Sequence, residues 1–174
     1  MNRGYTRAAY LEKIGRLKER CPAIAVTADV IVGFPGEKEE DFHQTLELMD
    51  QVRFDDLFSF KYSPRKGTRA AEFEDQVENG VKEIRLSILQ KRQNAITYEK
   101  QQALEGVAVE VLVEGRSRQS AQDMTGRTRS NKIVNFRGDP DLVGQLIPVQ
   151  IKKAFQHSLR GELMGKGTGP GPTG

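Results

Sequence analysis

The sequence predicts an α/β piece followed by a small all-β domain, with a long helix between them. Three observations carry that expectation. An apolar, β-branched run from Ile24 to Val32 enters Gly-Phe-Pro-Gly and then an acidic helical stretch, the strand–loop–helix order of a parallel sheet or barrel. From Val81 to about Leu104 apolar residues recur at helical spacing among many charges. After Gly106 the period drops to two: Val107, Val109, Val111 and Val113 alternate with Ala108, Glu110, Leu112 and Glu114, the signature of a strand.

Thr6 caps a first helix that sets Tyr10, Ile14 and Leu17 on one face, with Leu11 beside them, and Pro22 closes it. The run from Ile24 to Val32 reads as a parallel strand covered on both sides. Glu37 to Val52 returns to helical spacing, with Phe42, Leu46 and Met49 on the buried face and first-turn acids that suit the helix dipole. Leu57 to Tyr62 is a second strand, closed by Ser63-Pro64 and a turn at Gly67. The long helix places Val81, Ile84, Ile88 and Leu89 on one side, as a partly exposed connector would.

Beyond the strand after Gly106 come a basic polar stretch, Ile133-Val134, a turn at Gly138-Asp139-Pro140-Asp141, an apolar run from Leu146 to Ile151, and a short strand over Ser158 to Leu163. Several short strands in so few residues point to a small closed or nearly closed barrel. The expected organisation is an α/β unit over 1–78, a connector helix over 79–104 and a β-barrel over 105–164. The Gly/Pro/Thr-rich tail, 165–174, is expected to be disordered. Two strands cannot complete a sheet by themselves, so the first unit should expose edges that invite association.

Composition narrows the function classes. The chain has 174 residues, 37% hydrophobic and 29% charged, with a formal charge of +3. That permits a core under a heavily charged surface. The single cysteine, Cys21, excludes an internal disulfide and a cysteine-built metal or cluster site in this chain. Lying between a helix and a strand, it reads as a partly buried structural thiol rather than a reactive one. His43 and His157 are too far apart, and too bare of flanking ligands, to suggest zinc. No apolar run reaches membrane-spanning length and no signal peptide opens the chain, so no membrane partner and a cytoplasmic location are expected.

Three stretches hold candidate chemistry. In Asp29–Glu37, DVIVGFPGE, Asp29 reads either as a carboxylate near a ligand or as a structural hydrogen-bonding partner. The glycines around Pro35 either admit backbone close to a ligand or simply make a tight turn. The stretch FKYSPRKGT, residues 60–68, ends the next strand at the same sheet edge, where ligands of parallel α/β folds sit. In TGRTRSNK, residues 125–132, Arg127, Arg129 and Asn131 fall on one face if the segment is extended. Such a face matches phosphate and sugar contacts, or else is a solvated basic surface. Arg116, Arg118, Lys152, Lys153 and Arg160 could extend it. Phe136 and Phe155 are the only aromatics near, so backbone contact is better supported than base stacking.

Taken together, MNRGYTR (1–7), DVIVGFPGE, FKYSPRKGT, TGRTRSNKIVNF (125–136), GDPDLVGQL (138–146) and SLRGEL (158–163) resemble, in order and spacing, the C-terminal part of the MiaB-type methylthiotransferases. These are radical S-adenosylmethionine enzymes that modify tRNA. The resemblance covers nearly everything but the tail. It implies the C-terminal part of a radical (β/α) barrel, a connector helix and an OB-like TRAM barrel that engages tRNA.

The family carries two 4Fe–4S clusters on two sets of three cysteines, and neither set is present here. The chain is therefore expected to begin in mid-barrel, to be inactive alone, and to have the missing N-terminal half as a possible partner. The implied reaction adds a methylthio group to the isopentenylated adenosine beside the tRNA anticodon, with S-adenosylmethionine as source of both a 5′-deoxyadenosyl radical and a methyl group. The match carries over Ile31, Val32, Gly33, Phe34, Pro35 and Tyr62 as the adenosine-facing group, with Asp29 at its border. Arg127, Arg129, Asn131, Lys132, Asn135 and Arg160 are the tRNA candidates. Two alternatives stay open: a free-standing RNA-binding module without catalysis, and a methylthiotransferase for another substrate.

Overall fold

A computed structural model describes residues 4–118 and 120–164. The expectation for the 165–174 tail lies outside the described residues. The chain forms two compact units, Met1–Thr97 and Tyr98–Gly174.

In the first unit, α1 (Arg7–Arg20) begins where the Thr6 hydroxyl accepts the Ala9 N–H at 3.2 Å. It is followed by β1 (Thr27–Val32), α2 (Glu39–Val52) and β2 (Asp56–Lys61). The helix α3 (Asn79–Gln102) comes next, and the division between units falls within it. β1 and β2 pair in parallel, Asp29 opposite Phe58 and Ile31 opposite Phe60. Their core-facing residues, Ala28, Val30, Val32 and Leu57, pack with Phe42, Met49, Val52, Phe54, Leu89 and Ile96.

Four expectations change here. β1 is not covered on both sides: Thr27 and Asp29 alternate outward and are exposed, because only one face of the two-stranded sheet meets helices. An exposed Asp29 needs no buried partner. Second, α3 does not bury Ile84 and Ile88, which are 62% and 44% exposed. Its inward stripe is Lys82, Arg85, Leu89, Gln93 and Ile96, all buried. That stripe keeps helical spacing, but polar heads occupy positions where a periodicity argument looks for apolar ones. Third, most of α3 builds the core of the α/β unit rather than merely bridging. Fourth, Cys21 is exposed at the end of α1, where the chain turns toward Pro22.

The second unit is a closed five-stranded barrel in the order β3-β4-β5-β7-β6. Its strands are β3 (Ala108–Arg116), β4 (Asp123–Thr128), β5 (Ile133–Arg137), β6 (Leu146–Ala154) and β7 (Leu159–Leu163). All neighbours are antiparallel except β5 and β7. Alternation sends Val111, Val113, Met124, Val134, Phe136, Val149, Ile151 and Leu159 into one core. A Cβ on Gly126 would stand 2.3 Å from the Leu112 carbonyl oxygen, so the close approach of β3 and β4 requires glycine there.

Candidate functional site

Each unit presents one surface with chemistry. In the first it is the open face of the β1–β2 sheet. Asp29 and Ile31 from β1 and Phe58 and Phe60 from β2 alternate onto this face, opposite the core. Phe58 is 59% and Phe60 53% exposed, unusual for adjacent aromatics on a solvated surface. Phe34 and Tyr62 close one end, their rings meeting edge-on at 5.1 Å. Together these residues line an open cleft of about 810 Å³, with Arg65 and Thr68 at its rim. The Tyr62 hydroxyl is shielded and has no hydrogen-bond partner among the described residues.

The turn at the end of β1 is held from below. Gly33 has φ +68°, and a Cβ there would come 2.3 Å from Cγ of Lys82. Lys82 in turn reaches beneath Tyr62, its Nζ 5.3 Å from the ring centroid. Glu37 accepts the Gly33 N–H at 3.0 Å and binds Nη1 of Arg85 at 2.8 Å. Arg85 also donates to the Glu37 carbonyl at 3.0 Å and to Glu39 at 3.1 Å. A strand-end glycine, a carboxylate and two buried cations thus fix the loop that carries Phe34 and Pro35.

Of the expected cofactor residues, Asp29, Ile31, Phe34 and Tyr62 share the cleft. Gly33 and Pro35 form the buried turn beside it. Val32 turns its side chain into the core, 1% exposed, and its carbonyl accepts the Tyr62 N–H at 2.9 Å. Sequence reasoning passed over Phe58 and Phe60, although their spacing in a strand puts both on one face. Lys82 and Arg85 gave no such signal.

The second surface lies on the outside of the barrel. β4 ends at Thr128, and the chain turns so that Thr128 N–H binds the Lys132 carbonyl at 3.0 Å and Asn131 N–H binds the Thr128 carbonyl at 2.9 Å. Arg127, Arg129 and Asn131 therefore do not share one strand face: Asn131, at φ +62°, belongs to the turn. Arg127 binds the Asn131 side chain at 2.9 Å and Glu114 at 3.2 Å. Arg129 reaches Glu110 at 3.0 Å. Lys132 is half-buried at the end of this turn.

Arg160 grips Asp123 through both guanidinium ends, at 2.5 and 3.0 Å. These hydrogen bonds, with the guanidinium charge, hold the Asp123 carboxyl below its usual range and raise the Arg160 value. Asn135 of β5 stands beside Arg160 of β7 in the strand register. Asn135, Arg127 and Arg160 border two adjoining clefts, together with Arg116, Arg118 and His157. The expected set is thereby split: Arg127, Asn135 and Arg160 line the clefts, while Arg129, Asn131 and Lys132 occupy the turn beside Arg127. Phe136, expected among the surface aromatics, is fully buried in the core; Phe155 is the exposed one. His157 had no sequence signal beyond being a lone histidine.

One unit is an α/β sheet with an open aromatic face, and the other is a closed barrel with a cationic outer groove. Comparison with known proteins matches a family model to the second unit and finds relatives along nearly the whole chain. Residues 102–164 match the TRAM domain. The chain is 55% identical over 164 residues, 94% of its length, to the tRNA-2-methylthio-N(6)-dimethylallyladenosine synthase of Syntrophus aciditrophicus. It is 56% identical over the same span to that of Syntrophobacter fumaroxidans and 49% to that of a Thermoanaerobacter species. The chain spans about 36% of the length of the first two of these relatives. It carries a TRAM domain and matches the C-terminal part of the MiaB-type tRNA methylthiotransferases along nearly its whole length.

Among the described residues no group of three or more His, Cys, Asp or Glu side chains converges as metal ligands would. No described helix is long and apolar enough to cross a membrane.

Proposed function

We propose that this chain supplies the C-terminal share of a methylthiotransferase acting on isopentenylated adenosine in tRNA, with the α/β unit as one wall of the S-adenosylmethionine pocket and the barrel as a tRNA grip. The observation that carries the reading is the open aromatic face of β1–β2. A sheet of two parallel strands leaves Phe58 and Phe60 facing outward, as residues of a radical barrel would face its interior before the other strands are added. The division into a partial barrel over 1–78, a helix over 79–104 and a TRAM barrel over 105–164 belongs to the same reading.

The residues fit half of a nucleoside site. Ile31, Phe34 and Tyr62 offer apolar surface to an adenine ring, and Asp29 stands at the cleft margin to accept from a hydroxyl. When bound, S-adenosylmethionine supplies radical-forming and methyl-donating chemistry. The described residues do not fit a 4Fe–4S cluster: Cys21 is a single exposed thiol at the far end of α1, and cluster ligation takes several thiolates. The two clusters of the relatives' family, and the missing N-terminal half, would have to come from another segment. On its own, then, the chain binds and orients but does not react.

On the RNA side, Arg127, Asn135 and Arg160 line the two adjoining clefts, and Arg129, Asn131 and Lys132 occupy the turn beside Arg127. Cationic and amide donors in that arrangement suit phosphate and sugar contact.

Two measurements test the proposal. Supplying the N-terminal part of a relative in trans, with reconstituted clusters, should restore methylthio formation on tRNA by mass spectrometry, while the chain alone yields none. Binding of tRNA by the chain should weaken as salt rises, because phosphate contacts release counterions. The barrel's complete core of its own favours one second reading, an RNA-binding module without catalysis. Salt-dependent tRNA binding without any complementation would select it.

A further inference from the structure

We propose that the barrel holds a pocket for one unpaired nucleotide of RNA, framed by Phe155, His157, Asn135 and Arg160. This rests on reading the unit as an RNA-binding barrel and specifies which form of RNA it takes. The two clefts, of about 530 and 490 Å³, share Ser117, Asn135, His157 and Ser158, so they are one groove. Each is of the size that takes a small ligand, within about 300–1,000 Å³.

The groove has two chemically different ends. At one end Arg116, Arg118 and Arg127 gather, a place for phosphate. At the other Phe155 is 46% exposed, with Nζ of Lys153 5.5 Å from its ring centroid. His157 lies between. Both rings sit on the β6–β7 connection, which is tied tightly: Phe155 N–H binds the Ser158 carbonyl at 2.9 Å, and the Gln101 amide binds the Gln156 carbonyl at 3.2 Å. Asn135 projects from the neighbouring strand, and its amide can both donate to and accept from a base edge. Arg160, clamped flat by Asp123, offers a fixed guanidinium plane beside it.

Duplex RNA exposes phosphates and sugars but hides its base faces, whereas unpaired bases stack on aromatic and guanidinium planes. An aromatic ring in a groove next to a phosphate-binding end therefore has a partner only if the base is unstacked. Cations alone would serve either form; Phe155 and His157 select the single strand.

The test measures binding of the full chain to a short single-stranded RNA and to a blunt duplex of matching composition, across a salt series. Phe155→Ala should weaken single-strand binding about 5- to 150-fold, the range a stacked base contributes, without changing the salt slope. Duplex binding should be unmoved, and Phe155→Tyr should bind as the parent does. His157→Ala should act in the same direction as Phe155→Ala. Arg127→Gln should weaken both RNAs and lower the salt slope by about 0.7 to 0.9. Circular dichroism confirms that each variant folds. Equal losses on both RNAs, or none from Phe155→Ala and His157→Ala while the parent binds, would overturn the pocket and leave the RNA-binding reading standing. If the parent chain binds neither RNA, both fall.

Discussion

Glu37 and Arg85, 48 positions apart in the chain, meet as an ion pair at 2.8 Å with only 14% and 7% of their side chains exposed. The pair ties α3 to the loop that ends β1, because the same carboxylate also receives the Gly33 N–H. Removing one partner of such a pair strands the other without solvent, at a cost of about 3–5 kcal/mol. Arg85→Ala should therefore lower the urea midpoint of the helical circular-dichroism signal substantially. Replacing both, as Arg85→Met with Glu37→Gln, should cost less than the sum of the single changes.

Gly33 and Lys82 give a second coupled pair. Gly33→Ala places a methyl group against Cγ of Lys82 and keeps φ at +68°, a combination of overpacking and backbone strain costing about 1–3 kcal/mol. Lys82→Ala opens that space. In a double-mutant cycle the Gly33→Ala penalty should shrink in the Lys82→Ala background but not vanish, since the backbone strain remains. A penalty identical in both backgrounds would mean that the lysine stem simply swings away.

The barrel should be acid-sensitive through Asp123 and Arg160. The folded-state value of Asp123 is depressed, chiefly by the Arg160 hydrogen bonds. A depressed carboxylate contributes stability that is complete above its unfolded value, about 3.9, and is lost as pH falls through the folded value. Thermal melts of the chain between neutral pH and pH 2 should show that loss starting near pH 4. Asp123→Asn should reduce stability at neutral pH and flatten this part of the profile.

The open face of β1–β2 makes a prediction about solution behaviour. Phe58 and Phe60 expose adjacent aromatic surface on a sheet whose strands have no outer neighbours among the described residues, conditions that favour association. Phe58→Ser with Phe60→Ser should shift sedimentation toward monomer while leaving the unfolding midpoint nearly unchanged, because neither ring belongs to the core. Unchanged sedimentation would place any association elsewhere.

The elements and their order were readable from the chain because helical and strand periods are local properties. Thr6 as a cap, the alternation after Gly106 and the strand into Gly33 each need only neighbouring residues to be recognised. The motifs around Asp29, Tyr62 and Arg127 were visible for the same reason. What each side chain faces was not local. Periodicity grouped Ile84 and Ile88 with Leu89 on one side of α3, yet the packed side carries Lys82 and Arg85 beside Leu89, since their partners, Gly33, Tyr62 and Glu37, arrive from distant segments. Extended spacing put Asn131 on a strand face with Arg127, but a turn after Thr128 makes it a partner of that arginine instead. Phe136 and Phe155 looked alike in the sequence; closure of the barrel buried one and left the other beside His157 in the groove. The sequence determined where strands, helices and their motifs lie, through short-range pattern. Only the tertiary structure decided which residues share a surface, because that depends on the register and closure of segments far apart in the chain.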